Sequence, residues 1–229
     1  MLEVQNLGVS YGQSNVIEGM QLTIADSETL AILGRNGMGK STLLRGLIGI
    51  LPARSGKINL NGHDLTKAES HERVTRGLAY VPQGRGIFPS LTVEENIKSG
   101  MENSKDRSVP NEIYSLFPVL FDMRRRKGGN LSGGQQQQLA ISRALVSNPS
   151  VLLLDEPTEG IQPSIIKDLA KALNEIKRMR KIAIVVSEQV LSFALDVADR
   201  ILIIEKGRII HENRRDNVDA KKLSQFLSV

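Results

Sequence analysis

The sequence of 229 residues has no cysteine and no tryptophan, and only 3% of its residues are aromatic. Without cysteine there is no disulfide framework, and the composition suits a reducing compartment. The net charge is +5, but so few aromatic rings argue against a base-stacking surface, and we expect no nucleic-acid partner. The basic residues lie in short, separate groups, which is typical of solvated faces or of faces near anionic lipid or a protein partner.

The chain also lacks long hydrophobic runs. No apolar run approaches the roughly 18 residues of a membrane span, and residues 1–12 lack the basic start and apolar stretch of a signal peptide. Hydrophobic residues make up 40% of the chain and charged residues 24%, which indicates a globular protein with a substantial core. We therefore expect a soluble, cytoplasmic protein.

Short apolar segments punctuated by glycine alternate with longer helical patterns, which predicts an α/β architecture. Strands are predicted over residues 2–9, 22–24, 29–33, 57–60, 78–81, 151–154, 182–186 and 201–204. Helices are predicted over residues 40–50, 92–101, 112–117, 133–147, 165–179 and 191–197, with a polar break at 105–110 and a short terminal helix within 214–229. Because helical patterns dominate residues 89–148, we predict a helical subdomain inserted into an α/β core of residues 1–88 and 149–229.

Residues 34–41 match the phosphate-binding pattern Gly-x-x-x-x-Gly-Lys-Ser in full. Glycines let consecutive backbone N–H groups turn toward phosphates at the positive end of the following helix. Lys40 is predicted to reach the β- and γ-phosphates, and the Ser41 hydroxyl to bind Mg²⁺. The alternative is a glycine-rich turn that begins a helix, but the apolar strand before the loop favours a P-loop.

Residues 151–156 combine four apolar residues with two carboxylates, Asp155 and Glu156. A buried strand would deliver both carboxylates to its carboxyl end, where α/β sheets bind ligands. Asp155 is predicted to hold Mg²⁺ through its water shell, and Glu156 to polarise the attacking water. Without the P-loop, a solvated acidic turn would be the better interpretation; with it, the pattern favours phosphoryl transfer.

Residues 131–135, Leu-Ser-Gly-Gly-Gln, lie between these two motifs. Ser132 is a candidate N-cap for the helix that follows, and Gly133 and Gly134 permit close backbone approach. The three motifs in this order resemble the ATP-binding subunits of ABC transporters over nearly the whole chain. The resemblance implies one ABC ATPase domain, residues 1–229, with a P-loop NTPase core, a β-rich N-terminal part and an inserted helical subdomain. It also implies a dimer in which each ATP lies between the P-loop of one subunit and the LSGGQ motif of the other.

The same resemblance implies roles for single residues. Tyr11 matches the aromatic residue that stacks on adenine, although a strand residue filling the core is the alternative. Gln83 matches the glutamine that senses Mg²⁺ and the attacking water. Gln189 stands where most members have a histidine that contacts the γ-phosphate; its amide can donate a hydrogen bond but never carries the charge of an imidazolium.

In all, the implied catalytic residues are Glu156, Lys40 and Gln189, and the implied metal-binding residues are Ser41, Gln83 and Asp155. The implied ATP-binding residues are Tyr11, Gly34, Arg35, Asn36, Gly37, Met38, Gly39, Lys40, Ser41, Thr42, Gln83, Ser132, Gly133, Gly134 and Gln135. Gly160 lies in the loop expected to cross to the partner chain.

Residues 84–96 look like the branched-chain amino acid and amide uptake group, and residues 158–166 and 135–138 look most like its urea transporter version. Those systems usually pair two unlike ATPases, and one of the two carries a Glu-Gln pair similar to Glu188-Gln189. With no membrane span in this chain, separate permease subunits and a substrate-binding protein are expected, with the chain on the inner face of the membrane. The leading hypothesis is the ATPase of a urea or short-amide importer, with branched-chain amino acids as the nearest alternative.

Two further hypotheses remain open. A soluble ABC ATPase acting on nucleic acid or ribosomes would show RNA-stimulated hydrolysis. A weakly catalytic binding module would bind ATP and dimerise but turn over slowly; Gln189 favours this hypothesis, whereas intact Lys40, Asp155 and Glu156 argue against it.

Overall fold

The structure, a computed structural model, describes residues 1–101 and 108–227. The strands in these ranges are β1 (Leu2–Tyr11), β2 (Ser14–Ile24), β3 (Thr29–Leu33), β4 (Ala53–Leu60), β5 (His63–Asp64), β6 (Leu78–Val81), β7 (Val151–Asp155), β8 (Ala183–Glu188), β9 (Arg200–Glu205) and β10 (Arg208–Arg214). The helices are α1 (Lys40–Ile48), α2 (Ser70–Thr75), α3 (Val93–Lys98), α4 (Asn111–Leu116), α5 (Pro118–Asp122), α6 (Gly133–Leu145), α7 (Pro163–Arg180), α8 (Leu191–Val197) and α9 (Ala220–Leu227). Within these ranges no helix is long and apolar enough to span a bilayer.

A six-stranded sheet in the order β10-β9-β3-β8-β7-β6 positions the predicted motifs. All its pairs are parallel except β10 with β9. Every residue of β3, β7 and β8 is buried, as expected for parallel strands covered on both faces. The register pairs Leu33 with Glu188 and Asp155 with Ser187. The strand ends that precede the P-loop and that carry Asp155 and Glu188 therefore lie at one edge of the sheet.

A second sheet, antiparallel and in the order β2-β1-β4-β5, forms the N-terminal part of the fold. Apolar residues of this sheet pack with α1 and one face of the six-stranded sheet in a shared cluster that includes Leu7, Leu44 and Leu153. Helix α1, which begins at the P-loop lysine, is thus held between the two sheets by buried apolar contacts.

The helices between β6 and β7 pack on the opposite face of the six-stranded sheet. Ile97 of α3 and Ile141 of α6 share a buried cluster with Leu154 and Ile184 of the sheet. A capping box between Thr92 and Glu95 fixes the start of α3, as the Thr-x-x-Glu spacing favours. The α/β prediction, with a β-rich N-terminal part and inserted helices, is confirmed; the division at residues 89 and 148 stays a prediction.

Several predicted boundaries were wrong. Strand β2 begins at Ser14 rather than at residue 22, and strand β10 was missed although its residues alternate in burial. The short helices α2 and α5 were also missed, and too few turns give a weak periodic signal. Helix α1 ends at Ile48 because Gly49 takes a left-handed conformation. Of the predicted break at 105–110, residues 105–107 lie outside the described residues, and residues 108–110 are not helical.

Candidate active site

The P-loop joins the buried strand β3 to helix α1. Gly37 and Gly39 have φ angles of 78° and 105°, in the region that favours glycine. The Lys40 side chain is only 4% exposed, and its Nζ donates to the carbonyl oxygens of Gly34 at 2.7 Å and Arg35 at 3.2 Å. The lysine therefore lies along the inside of the loop, where its ammonium group can meet a phosphate.

Three hydroxyl groups converge on the Asp155 carboxylate, which is 1% exposed. Ser41 Oγ and Ser187 Oγ donate to Oδ1 at 2.9 and 2.6 Å, and Tyr80 Oη donates to Oδ2 at 3.0 Å. The serine that follows the P-loop lysine thus faces the strand-end aspartate, whereas the binding of Mg²⁺ by these two residues stays a prediction. Ser187 and Tyr80 were not predicted; both follow from the parallel register of β6, β7 and β8.

Glu156 receives three side-chain donors. Lys40 Nζ lies 3.2 Å from Oε1, Gln189 Nε2 donates to Oε1 at 3.0 Å, and Gln83 Nε2 donates to Oε2 at 3.4 Å. Gln189 Nε2 also donates to Asn36 Oδ1 of the P-loop at 2.8 Å. The residues expected to act in catalysis are therefore joined by direct contacts around one carboxylate.

Glu188, which precedes Gln189, is a buried carboxylate with no predicted role. Its Oε1 accepts hydrogen bonds from the backbone N–H and the hydroxyl of Thr158, and its Oε2 accepts from the backbone N–H groups of Gln189 and Val190. Burial raises the pKa of Glu188, against the effect of these hydrogen bonds. A charged residue at the end of an all-buried apolar strand was the signal in the sequence that could have identified it.

Tyr11 lies at the end of β1 with its ring 44% exposed, so the alternative of a core-filling residue is excluded. The Arg45 guanidinium donates to Tyr11 Oη at 3.1 Å, and its hydrogen bonds to Tyr11 and Tyr80 raise the pKa of Arg45. Burial raises the pKa of Tyr80, so its phenol is protonated and donates to Asp155. The side chains of Arg45 and Tyr80 therefore connect Tyr11 to Asp155 through hydrogen bonds.

Two further residues with a predicted role in ATP binding are Met38, in the P-loop, and Thr42, in helix α1. The Met38 carbonyl accepts from the backbone N–H of Gly207 at 3.0 Å. Thr42 is 7% exposed on the inner side of α1.

The LSGGQ segment begins helix α6. Ser132 and Gln135 form a capping box, in which each side chain accepts from the other residue's backbone N–H. Among the described residues, no hydrogen bond joins this segment to the P-loop. A Cβ atom added at Gly133 would lie 3.0 Å from the carbonyl oxygen of Gly160. The predicted ATP-binding residues thus form two groups, one at the sheet edge and one at the start of α6.

Arg85 links the second group to its surroundings and was missed by the sequence analysis. Its guanidinium donates to the carbonyl oxygen of Glu159 at 2.8 Å and to Gln136 Oε1 at 3.4 Å. One side chain from the segment after Gln83 therefore touches both helix α6 and the loop after β7.

A P-loop lysine beside a strand-end Asp-Glu pair defines a site for nucleotide phosphates. The comparisons with known proteins agree with this class: the family model for ABC transporters matches residues 17–159, more than half of the chain. The chain belongs to the ABC transporter family and is an ABC-type ATPase.

Similar sequences span nearly the full chain. The high-affinity branched-chain amino acid transport ATP-binding protein BraG of Pseudomonas aeruginosa is 37% identical, covering 92% of this chain and 91% of its own. The probable branched-chain amino acid transport ATP-binding protein LivF of Archaeoglobus fulgidus is 34% identical, over 91% and 90%. The lipopolysaccharide export ATP-binding protein LptB of Haemophilus influenzae is also 34% identical, over 92% and 89%.

Solved structures give the same fold. A nucleotide-free ATP-binding cassette from an ABC transporter is similar with a TM-score of 0.82 at 26% identity, covering 100% of this chain and 95% of that one. A dimeric cassette bound to ADP and phosphate has a TM-score of 0.84 at 23% identity, over 94% and 99%.

Proposed function

We propose that this chain is the ATP-hydrolysing subunit of an importer for branched-chain amino acids. The contacts among Lys40, Glu156 and Gln189 carry the proposal of ATP hydrolysis. The substrate class is supported by the 37% identity to BraG over 92% of the chain, and by the resemblance of residues 84–96 to the branched-chain amino acid and amide uptake group. Branched-chain amino acids therefore replace urea, which the sequence patterns favoured, as the proposed substrate.

ATP would bind at the sheet edge. Lys40 would exchange its contacts with the Gly34 and Arg35 carbonyls for the β- and γ-phosphates, and the exposed ring of Tyr11 would stack on adenine. The remaining proposed P-loop contacts are those of Gly34, Arg35, Asn36, Gly37, Met38, Gly39, Ser41 and Thr42. The loop backbone and α1 would supply N–H donors and the positive helix end.

The residues beside the phosphates fit Mg²⁺. The oxygens of Ser41 and Asp155 lie 2.9 Å apart, and Gln83, whose amide nitrogen contacts Glu156, would offer its amide oxygen to the cation. Among the described residues no cluster of three or more His, Cys, Asp or Glu side chains suits a metal. We propose that the cation would be held mainly by substrate phosphates, waters and one or two protein oxygens. When bound, Mg²⁺ would neutralise the charge that develops on the phosphates.

Hydrolysis would use the side chains around Glu156. Once Lys40 and Gln189 turn toward the phosphates, the Glu156 carboxylate is free to accept a hydrogen bond from the attacking water. The Gln189 amide, held by Asn36 at 2.8 Å, would donate to the γ-phosphate without adding a charge.

The second group of ATP contacts, Ser132, Gly133, Gly134 and Gln135, would act on the ATP of a partner ATPase. The segment lies at the N-terminal end of the 13-residue helix α6, where a phosphate is favoured. It makes no hydrogen bond to its own P-loop within the described part of the chain. We therefore propose a dimer of this chain with a second, different ATPase, in which two ATP molecules lie between the two subunits.

Coupling to a permease would use the groove between strand β6 and the inserted helices α3 and α6. The groove has a volume of 650 Å³, and Phe88 at its rim is 47% exposed. Arg143, which also lines it, has a buried Nη1 with no hydrogen-bond partner in the described structure. The exposed Phe88 ring suits a docked segment with an apolar side chain. In this proposal the chain would lie on the inner face of the membrane, and a substrate-binding protein would act on the other side.

Urea or a short amide remains the second candidate, supported by the resemblance of residues 135–138 and 158–166 to the urea transporter version. Uptake of labelled leucine and labelled urea would be measured side by side in cells lacking the chain, and after complementation with wild type or Glu156→Gln. We expect leucine uptake alone to be lost and to be restored only by wild type. Loss of urea uptake alone would favour the second candidate. If neither changes, the import proposal fails, and RNA-stimulated hydrolysis would be measured next.

A further inference from the structure

Glu188 is a carboxylate 2% exposed that the ATPase mechanism above does not use. Its Oε1 accepts from the Thr158 backbone N–H at 3.0 Å and hydroxyl at 2.7 Å. Its Oε2 accepts from the backbone N–H groups of Gln189 at 2.9 Å and Val190 at 3.2 Å. In the described ranges no Lys, Arg or His pairs with it. Glu188 is thus a buried anion held by four neutral donors.

Such an anion is costly to bury without a cationic partner. Burial raises the pKa of Glu188, whereas the hydrogen bonds from Thr158, Gln189 and Val190 lower it. An ionised carboxylate offers acceptors to both pairs of donors at once, whereas a protonated one would add an O–H donor among them. An apolar residue would avoid that cost but would leave the four donors without an acceptor, so the glutamate holds these donors rather than only filling space.

The four donors belong to two loops that flank Glu156. Thr158 lies in the loop after β7, two residues beyond Glu156 and two before Gly160. Gln189 lies in the turn before α8, and its side chain donates to Glu156 at 3.0 Å. The Glu188 carboxylate therefore joins the loop proposed to cross to the partner ATPase with the turn that presents Gln189.

We infer that Glu188 is a positioning residue for ATP hydrolysis, whose carboxylate fixes the Gln189 turn relative to the loop at residues 156–160. It does not touch ATP and acts through Gln189; the inference therefore rests on the role proposed for Gln189. The backbone N–H of Gln189 is held directly, so the carboxylate sets the point from which the amide side chain reaches the γ-phosphate. Gln189 and Glu188 work as one unit in the position where most family members carry a histidine.

A double-mutant cycle on the full-length chain tests the inference. ATP hydrolysis is measured for wild type, Glu188→Gln, Gln189→Ala and the double variant, with binding of a fluorescent ATP analogue and thermal unfolding measured on each. In Glu188→Gln an amide N–H₂ faces two donors, which displaces one loop. We expect kcat to fall about tenfold or more, since a shift of about 1 Å can cost up to about a hundredfold. Affinity for the analogue should stay within about twofold, and the double variant should be no slower than the slower single variant.

A second pair of variants addresses the same contact where Glu188→Gln is too unstable to purify. Thr158→Val removes the hydroxyl and keeps the shape, whereas Thr158→Ser keeps the hydroxyl. We expect Thr158→Val to reduce kcat, and Thr158→Ser to retain more of it than Thr158→Val does. The reduction should disappear when Gln189 is already alanine.

The outcomes separate the inference from the function on which it rests. If Gln189→Ala is slow but Glu188→Gln and Thr158→Val hydrolyse ATP at the wild-type rate, the inference is wrong and the role of Gln189 stands. Effects that multiply with Gln189→Ala, or a loss of ATP affinity that accounts for the loss of rate, also overturn it. If Gln189→Ala itself keeps the wild-type rate, the proposed role of Gln189 fails, and the inference fails with it.

Discussion

Arg73 gives the sharpest prediction about stability, because it is a buried arginine without a carboxylate partner among the described residues. The side chain is 1% exposed. Its Nη1 donates to the Gly46 and Leu47 carbonyls of α1 at 2.8 Å each, its Nε to Ala68 O at 2.9 Å, and its Nη2 to Thr66 O at 3.2 Å. Burial lowers the pKa of Arg73. The guanidinium thus caps the C-terminal end of the helix whose first residue is Lys40.

Arg73→Met keeps an unbranched, apolar but shorter side chain and removes all four hydrogen bonds. Each buried group left without a partner costs ~1–3 kcal/mol, but the Gly46 carbonyl also accepts from the Gly49 N–H, and removing a buried charge recovers part of its desolvation cost. We expect a net loss of about 3 kcal/mol in the free energy of unfolding. Arg73→Lys, with three donors and no planar fork, should lose nearly as much.

Urea unfolding followed by circular dichroism measures this loss, provided that the slope m stays constant. The matched control is Arg178→Met, because Arg178 is 73% exposed and, among the residues that the structure describes, pairs only with Glu175 three residues earlier. The control should change stability by less than about 0.5 kcal/mol. If Arg73→Met costs no more than the control, the capping argument is refuted.

Three further predictions concern the site and its surroundings. Gln189→His should raise kcat several-fold below pH 6.5, where an imidazole carries a charge, and an unchanged rate would show that this position is not limiting. Gly134→Ala should lower the free energy of unfolding by about 1–3 kcal/mol, since its Cβ would lie 2.5 Å from Ile165 Cγ2; adding Ile165→Ala should recover part of the loss, and no recovery would place the strain elsewhere. Phe88→Ala should abolish uptake but leave basal hydrolysis unchanged, whereas loss of both activities would indicate a folding defect.

The sequence was sufficient for those parts of the fold in which local signals agree. Strands β3, β7 and β8 consist mainly of apolar residues. Gly37 and Gly39 of the P-loop have positive φ angles, which glycine favours, and Ser132 has a side chain that can cap a helix. Strand β10 was not predicted because it is an edge strand whose residues alternate between exposed and half-buried and include four charged or amide residues. Its position depends on pairing with β9 rather than on local preference.

In the site, the residues that belong to a sequence motif were predicted. The residues that reach the site through the register of neighbouring strands were not. Tyr80 and Ser187 reach Asp155 only because β6, β7 and β8 are parallel neighbours in one register. Glu188 was seen as part of the Glu188-Gln189 pair, but its four donors come from two loops that only the fold brings together. Side-chain partners of this kind depend on tertiary contacts, which periodicity does not encode.

The crowding of donors on Glu156 has a consequence for substrate selection. As the side chains stand, both oxygens of the carboxylate are covered by Lys40, Gln189 and Gln83. Each of these donors has a proposed partner in ATP or its cation. Binding of ATP would therefore draw the donors away from Glu156 and leave its carboxylate able to act as the base. In the same proposal, a nucleoside diphosphate would engage Lys40 but offer no third phosphate to Gln189, so Gln189 would stay on the carboxylate. In the proposed mechanism, Glu156 would therefore become available as the base only when a nucleoside triphosphate is bound.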